Sequence, residues 1–204
     1  MSDDATKLAD AVTTAGLDLS ARGTGRGWAT MGAILTDAVL QRRNRYDAVV
    51  LPRARAVEAL GLNKTSDVMG ALDGESLWAA FSHHAVSRRT QFAEMARALD
   101  AVGVQTVQEF AEALSEKDSR ALASLSGVKN VGPKTMAYLP ILCGADGVAI
   151  DVHLRNFAIR AGLAPRRDAG WVSVYEAAAV RLGVEVGFLD RAVWRHMSAT
   201  RARA

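Results

Sequence analysis

A tight turn between two helical segments, with a third helix soon after it, constrains this chain more than any other feature. Residues 125–155 read LSGVKNVGPKTMAYLPILCGADGVAIDVHLR. Leu125, Val128 and Val131 recur at intervals of three, a spacing typical of a helix end and the turn that follows it. Pro140 lies inside the apolar run after the turn, so the second helix either kinks or ends there.

The turn itself carries residues suited to tight geometry and to anion binding. Asn130 and Gly132 are the residue types that most readily take the left-handed backbone conformation. Pro133 is favoured in the first turn of a helix, where its missing N–H is not needed. The N–H groups of Gly132, Lys134 and Thr135 then have no partner within the helix, and they form a natural seat for a phosphate.

This stretch resembles the hairpin of the helix-hairpin-helix (HhH-GPD) DNA glycosylase superfamily, which has the form hxxhxGhGxKTA with h apolar. The matching residues are Leu125, Val128, Asn130, Val131, Gly132, Lys134 and Thr135. Downstream, the family carries a segment of the form V-D-x-H-hydrophobic-x-R, and residues 149–156 here read AIDVHLRN. The two motifs together are similar to endonuclease III, a DNA glycosylase that also has lyase activity.

The resemblance implies an all-α fold with two helical lobes and a cleft between them that receives a flipped base. It also implies that the N-terminal segment returns to join the C-terminal helices. In the family the hairpin lysine is the covalent nucleophile and the aspartate is the second catalytic residue, so these roles pass to Lys134 and Asp151. One alternative stays open for each residue: Lys134 as a phosphate contact, and Asp151 as the cap of its helix.

The chain departs from the family pattern in three ways. Asn130 stands where the first hairpin glycine is usual, and Met136 where alanine is usual. The interval from Lys134 to Asp151 is one residue shorter than in endonuclease III. The four-cysteine iron–sulfur cluster is missing, since Cys143 is the only cysteine. We therefore expect no cofactor, no cysteine-built metal site and no internal disulfide.

Arginines are concentrated in the segment well before the hairpin. The formal net charge of the 204 residues is only +3. Between residues 22 and 55, however, Arg22, Arg26, Arg42, Arg43, Arg45, Arg53 and Arg55 face only two acids, Asp37 and Asp47. Such a patch binds polyanions with an affinity that depends on salt, and the alternative is a solvated face. We expect double-stranded DNA containing a damaged base as the partner.

The candidate DNA contacts begin at the end of an apolar helix predicted over residues 28–43. Its end, AVLQRRNR, resembles a family helix that closes in a glutamine inserted into DNA, so Gln41 is a candidate wedge or else an exposed polar residue. The further candidates are Arg42, Arg43, Asn130, Gly132, Thr135 and Arg155. Arg88 and Arg89 start a later predicted helix, and we expect them at the surface, with phosphate contact as the alternative.

By this resemblance the chain divides into an N-terminal helix and mobile arm (1–27), a glycosylase-like domain (28–198) and a basic tail (199–204). We expect a monomer in the cytoplasm, associated with the nucleoid. No uninterrupted apolar run reaches the ~18 residues of a membrane span, and the acidic N-terminus lacks the apolar region of a secretory signal.

The implied function is DNA repair by removal of a damaged base, with strand cleavage by Lys134 as an AP lyase. A monofunctional glycosylase that uses Asp151 alone remains open. So does a non-catalytic helix-hairpin-helix DNA-binding protein, although such a protein needs no aspartate at the start of the next helix. A purely structural interaction protein comes third, because the sequence shows neither repeats nor coiled-coil heptads.

Overall fold

The computed structural model describes residues 3–19, 27–83, 85–116 and 119–201. The regular structure of these segments consists of twelve α-helices and a π-helical turn, and it includes no strand. The all-α prediction is therefore confirmed. The predicted arm between residues 20 and 26, with Arg22 and Arg26, and the tail beyond residue 201 lie outside the described segments.

The chain divides into two compact units, one of them discontinuous. Unit 1 combines Met1–Gly25 with Asp146–Ala204, and unit 2 is the stretch Arg26–Ala145. The helices are α1 (Asp3–Thr14), α2 (Met31–Leu40), α3 (Leu51–Glu58), α4 (Thr65–Ala71), α5 (Glu75–Phe81), α6 (Val86–Asp100), α7 (Val107–Ser115), α8 (Arg120–Ser126), α9 (Pro133–Leu142), α10 (Val152–Arg160), α11 (Asp168–Leu182) and α12 (Val186–Arg201). None of these helices, in the part of the chain described, has the length and apolar character to cross a bilayer.

Unit 1 has a core of its own built around α11. Helix α1 packs on α11, and α12 packs against α10 and α11. Leu8 and Val12 of α1 are buried in one apolar cluster with Trp171 and Tyr175 of α11. A helix as short as α1 is marginal by itself in water, so this packing holds it in place. The return of the N-terminal segment to the C-terminal helices is thus a property of the structure.

The N-terminus of α12 is capped by a side chain from a distant part of unit 1. Asp146 accepts hydrogen bonds from the backbone N–H groups of Val186, at 3.2 Å, and Gly187, at 2.8 Å. A Cβ at position 187 would lie 2.9 Å from Oδ1 of Asp146, so glycine leaves room for the cap. Two first-turn donors are satisfied in this way, and the carboxylate also faces the positive end of the helix dipole.

We expect Asp146→Ala to lower the free energy of unfolding by about 1–2 kcal/mol, because both N–H groups lose their partner and the helix dipole its counter-charge. Asp146→Asn keeps a side-chain acceptor and is expected to lose less. Urea denaturation of the two variants and the wild type at neutral pH measures both effects. Equal stability of all three proteins would show that the cap contributes nothing.

Unit 2 is organised around α2, whose ten residues are all buried. It packs against α3, α4, α6 and α9, and a helix that is apolar nearly all round is typical of such a central position. The helix is shorter than the predicted 28–43. Thr30 caps its start by accepting from the N–H of Ala33, and the left-handed backbone of Arg43 (φ 62°) stops any extension beyond its end.

Two prolines occur within helices of unit 2. A π-helical turn at Tyr46–Val50 leads into α3, and Pro52 lies in the first turn of α3, where its missing N–H is not needed. Pro140 lies inside α9, which is not cut there and ends two residues later at Leu142.

Candidate nucleic-acid interface

The predicted hairpin is present in unit 2. Helix α8 ends at Ser126, and α9 begins at Pro133 with Gly132 as its N-terminal cap residue. Asn130 has the left-handed conformation, with φ of 71°, and the N–H of Val131 donates to the carbonyl of Val128 at 3.1 Å. The helix, hairpin, helix prediction is confirmed, and so is the expectation that asparagine can replace glycine at position 130.

Gly132 departs from the expected backbone conformation. Its φ of −114° and ψ of −178° are extended, so the left-handed prediction is wrong here, because the single residue Asn130 reverses the chain. A Cβ on Gly132 would meet no atom of the described residues within 4 Å. The fold therefore does not require glycine at this position. What glycine provides is open space in front of the first-turn N–H groups of α9, where the helix dipole attracts an anion.

We expect Gly132→Val to weaken binding of duplex DNA on the order of tenfold while lowering the free energy of unfolding by less than about 1 kcal/mol. The side chain fits the backbone but covers the N–H groups. Fluorescence anisotropy with a labelled duplex measures the first quantity and urea denaturation the second.

Gly61→Val is a matched control for this substitution. A Cβ on Gly61 would also meet no atom of the described residues within 4 Å, but the φ of Gly61 is +69°, so a valine there is strained. We expect this control to lose stability and to keep its affinity for the duplex. Unchanged duplex affinity in Gly132→Val would contradict the phosphate seat.

The candidate nucleophile lies on the first turn of α9. Lys134 is the second residue of the helix and its side chain is exposed, while the neighbouring Thr135 is half-buried. Cys143, just after the end of α9, is the single cysteine of the sequence. Burial raises the pKa of the Cys143 thiol to about 12. The thiol is therefore protonated at neutral pH and does not compete as a nucleophile.

Residues 41–45, which we call the arginine turn, follow α2 in the chain and contact the hairpin through Arg42. Gln41 is half-buried and its N–H donates to the carbonyl of Asp37 at 3.0 Å, while Arg43 is exposed. Arg42 is also exposed, and its Nη1 donates to Oδ1 of Asn130 at 2.9 Å across 88 residues of sequence. The structure thus brings together two predicted DNA contacts from opposite ends of unit 2.

Arg88 is buried, with only 9% of its surface exposed, so the prediction of a surface side chain is wrong. Helix α6 packs on α2, and Arg88 donates from Nη1 to the carbonyl of Val39 at 2.5 Å and from Nη2 to the carbonyl of Arg42 at 2.6 Å. The last carbonyls of α2 need donors from outside the helix, and the guanidinium supplies them. Burial lowers the pKa of Arg88, and the nearby charges of Arg42 and Arg43 lower it further.

A buried carboxylate also holds the two ends of α2, and sequence reasoning missed it. Asp37 is fully buried, and its Oδ2 accepts from the indole Nε1 of Trp28 at 2.9 Å and from the hydroxyl of Tyr46 at 3.1 Å. Trp28 lies in the segment that leads into α2 and Tyr46 in the segment that follows it, so Asp37 fixes the chain on both sides of the helix. The available signal was a single aspartate within the otherwise uncharged helix MGAILTDAVL.

In unit 1, Asp151 is the N-terminal cap of α10. Its Oδ1 accepts from the backbone N–H groups of His153, at 2.8 Å, and Leu154, at 3.0 Å. Behind it, the hydroxyl of Tyr175 donates to the carbonyl of Leu154 at 2.8 Å. Burial raises the pKa of Tyr175 strongly, and the charges of Asp190 and Asp151 add to that rise. The expected capping role of Asp151 is confirmed, and the carboxylate lies within electrostatic range of a buried phenol.

Arg155, another predicted DNA contact, lies one turn into α10. Its Nη2 lies 2.5 Å from Oδ1 of Asp168, and the two side chains are 43% and 53% exposed. An ion pair this exposed contributes little to stability, so the fold does not depend on the pairing of Arg155 with Asp168. Asp151 and Arg155 thus occur together in unit 1, whereas Arg42, Asn130, Gly132, Lys134 and Thr135 occur together in unit 2.

A family model described as "Domain of unknown function (DUF8548)" matches residues 8–198. The matched span contains the arginine turn, the hairpin and Asp151. No curated protein and no solved structure matches the chain.

Proposed function

We propose that this chain, which belongs to the DUF8548 family, is a DNA repair glycosylase that flips a damaged base out of duplex DNA and cleaves its N-glycosidic bond. We further propose that Lys134 gives it AP lyase activity and that units 1 and 2 are the two lobes of a helix-hairpin-helix glycosylase fold. The observation that carries the proposal is the hairpin, where an exposed lysine follows an open N-terminal seat on α9. Such a protein acts as a monomer at the nucleoid in the cytoplasm.

The sequence order of the candidate residues supports a catalytic rather than a purely binding role. The hairpin seat can hold a phosphate of the DNA backbone, and Lys134 lies beside that seat. The next helix after α9 opens on Asp151, a carboxylate that a hairpin needing only to bind DNA does not require. Hairpin and aspartate in this order are the pattern of the bifunctional glycosylases that the sequence resembles.

The proposed chemistry uses one amine and one carboxylate. A base inside a duplex is inaccessible, so the nucleotide is first extruded from the stack. The neutral amine of Lys134 attacks C1′ of the sugar, and the base leaves with the electron pair of the glycosidic bond and takes up a proton. Asp151, ionised, stabilises the positive charge that develops on the sugar. The sugar ring then opens to an imine, and loss of a C2′ proton expels the 3′ phosphate and cuts the strand.

The decisive experiment is a panel of duplexes, each with a single damaged base, in which base release and strand nicking are scored separately. Release together with nicking on at least one lesion supports the bifunctional proposal. Base release without nicking, so that the strand breaks only after alkali is added, supports a monofunctional glycosylase that uses Asp151 alone. Binding without release on every lesion overturns the enzymatic proposal.

One observation favours the non-catalytic alternative. Oδ1 of Asp151 already accepts two backbone hydrogen bonds, so capping α10 is by itself a sufficient reason for an aspartate at this position. A non-catalytic helix-hairpin-helix protein would then use the hairpin and the arginine turn to bind DNA. The same panel separates the two functions, because only the glycosylase releases a base.

We expect binding to an undamaged duplex to be independent of sequence and to weaken with salt. If Arg42, Arg43 and the hairpin contact roughly three phosphates, affinity falls on the order of 40-fold between about 50 and 200 mM salt. Replacing Arg43 by Gln should reduce the slope of log affinity against log salt by about one. Arg181→Gln, an exposed arginine of unit 1, serves as the control. A salt-independent affinity would contradict phosphate binding.

A further inference from the structure

The guanidinium of Arg88 joins the end of α2 to the arginine turn. It bonds to the carbonyls of Val39, inside α2, and Arg42, inside the arginine turn. A planar guanidinium can satisfy two acceptors at once in a fixed geometry, which the single ammonium of a lysine cannot reproduce. Arg88 therefore determines where the backbone of the arginine turn leaves α2.

The arginine turn is in turn joined to the hairpin. Arg42 donates to the side-chain oxygen of Asn130, which is the left-handed residue of the hairpin. Asn44 adds a further constraint, because its Nδ2 donates to the carbonyl of Leu40 at 2.7 Å. A continuous series of hydrogen bonds thus runs from buried Arg88 through Arg42 to the residue that shapes the phosphate seat.

Positive charge is concentrated around this contact. Burial lowers the pKa of Arg88 and the charges of Arg42 and Arg43 lower it further, while the negative end of the α2 dipole acts in the opposite direction. Arg43 also holds a left-handed backbone that a non-glycine residue rarely adopts. Strain and like charges gathered at one exposed turn are typical of a surface completed by a ligand of opposite charge.

We propose that Arg88 is a positioning residue that fixes the arginine turn against the hairpin, so that both bind one stretch of the phosphodiester backbone of duplex DNA as a single surface. The inference rests on the proposed function for the identity of the ligand. It does not depend on whether the bound DNA is then cleaved.

The first test replaces Arg88 without removing its charge. Arg88→Lys should lower duplex affinity at least tenfold and reduce the slope of log affinity against log salt by about two. The arginine turn then loses its fixed position, so Arg42 and Arg43 are no longer held against the DNA phosphates. Arg89→Lys is the matched control: Arg89 also starts α6 and donates to a carbonyl, that of His83 at 3.2 Å. We expect the control to match the wild type. A purely structural role for Arg88 would change stability but leave the salt slope of the folded protein unaltered, and that result overturns the inference.

The second test breaks the link at its other end. Asn130→Gly keeps a residue suited to the left-handed turn but removes the oxygen that holds Arg42. Asn130→Gly should reduce the salt slope by about one. The double variant Asn130→Gly with Arg42→Gln should bind the duplex as tightly as the single variant Arg42→Gln. Additive losses would show that the two residues act separately and would overturn the single surface.

Wild-type protein gives a third measurement that does not depend on any variant folding. On addition of an undamaged duplex, the guanidinium protons of Arg88 should shift and exchange more slowly with solvent in NMR spectra, while those of Arg89 should not change. An unchanged Arg88 signal in the bound protein overturns the inference and leaves the proposed glycosylase intact. If the wild type does not bind the duplex at all, both the role of Arg88 and the proposed glycosylase are overturned. If it binds the duplex and the Arg88 measurements come out as expected but no base is released, only the glycosylase is overturned.

Discussion

Replacing Lys134 by Gln abolishes the covalent protein–DNA complex that borohydride traps, and it leaves affinity for the duplex within a few-fold of the wild type. The expected loss is complete, because only an amine can form the imine that borohydride reduces. Binding changes little, since one side chain among several phosphate contacts is lost while the hairpin N–H groups remain. Gel electrophoresis of borohydride-treated mixtures measures trapping, and anisotropy measures affinity.

Lys129→Gln is the matched control for this substitution. Lys129 is an exposed lysine of the hairpin turn, five residues before Lys134, so its loss removes the same charge near the same phosphate seat. We expect its trapping to match that of the wild type. Trapping that survives Lys134→Gln would place the nucleophile elsewhere, and failure to trap wild-type protein on every lesion would favour the monofunctional or non-catalytic function.

Asp151→Asn slows base release on the order of 100-fold and keeps the fold. The carboxylate charge that stabilises the developing cation is lost, and groups aimed at transition-state charge typically contribute effects of that size. Stability is retained because an asparagine oxygen can accept the same two hydrogen bonds from His153 and Leu154. Single-turnover release of the damaged base measures the rate, and thermal unfolding checks the fold.

Asp151→Ala separates the two roles of this residue. It removes both the charge and the cap, so we expect the same slow release together with a loss of about 1 kcal/mol in stability. If Asp151→Asn releases base as fast as the wild type while Asp151→Ala is unstable, the aspartate serves only as a helix cap.

The local features of the candidate interface could be predicted from the sequence because each depends on a few neighbouring residues. The left-handed turn follows from the tolerance of Asn130 for positive φ, and the start of α9 follows from Pro133. The capping role of Asp151 depends only on the backbone of the next three residues. Gly132 is the exception within the hairpin. The sequence pattern shows a glycine at this position, but it does not show whether the fold needs the backbone conformation of glycine or the space left by its missing side chain.

The long-range features could not be predicted, because they depend on which helices meet. Arg88 is 46 residues from Arg42, whose carbonyl it binds, and nothing in the sequence near Arg88 indicates burial. Arginine is commonly exposed, so the surface was the reasonable expectation. The bond between Arg42 and Asn130 likewise required α2 and α9 to pack together, which no local pattern specifies.

The discontinuity of unit 1 sets an order of events during protein synthesis. Helix α1 is made first, yet α11, on which it packs, begins only at Asp168. At about 5–20 residues per second, a ribosome needs roughly 8–30 seconds to make the residues in between. Unit 2 is continuous and is made entirely within that interval, while Leu8 and Val12 of α1 still lack their partners on α11. A ribosome that stalls before α11 therefore carries α1 as an apolar segment without its packing partner, which chaperones and proteases can recognise.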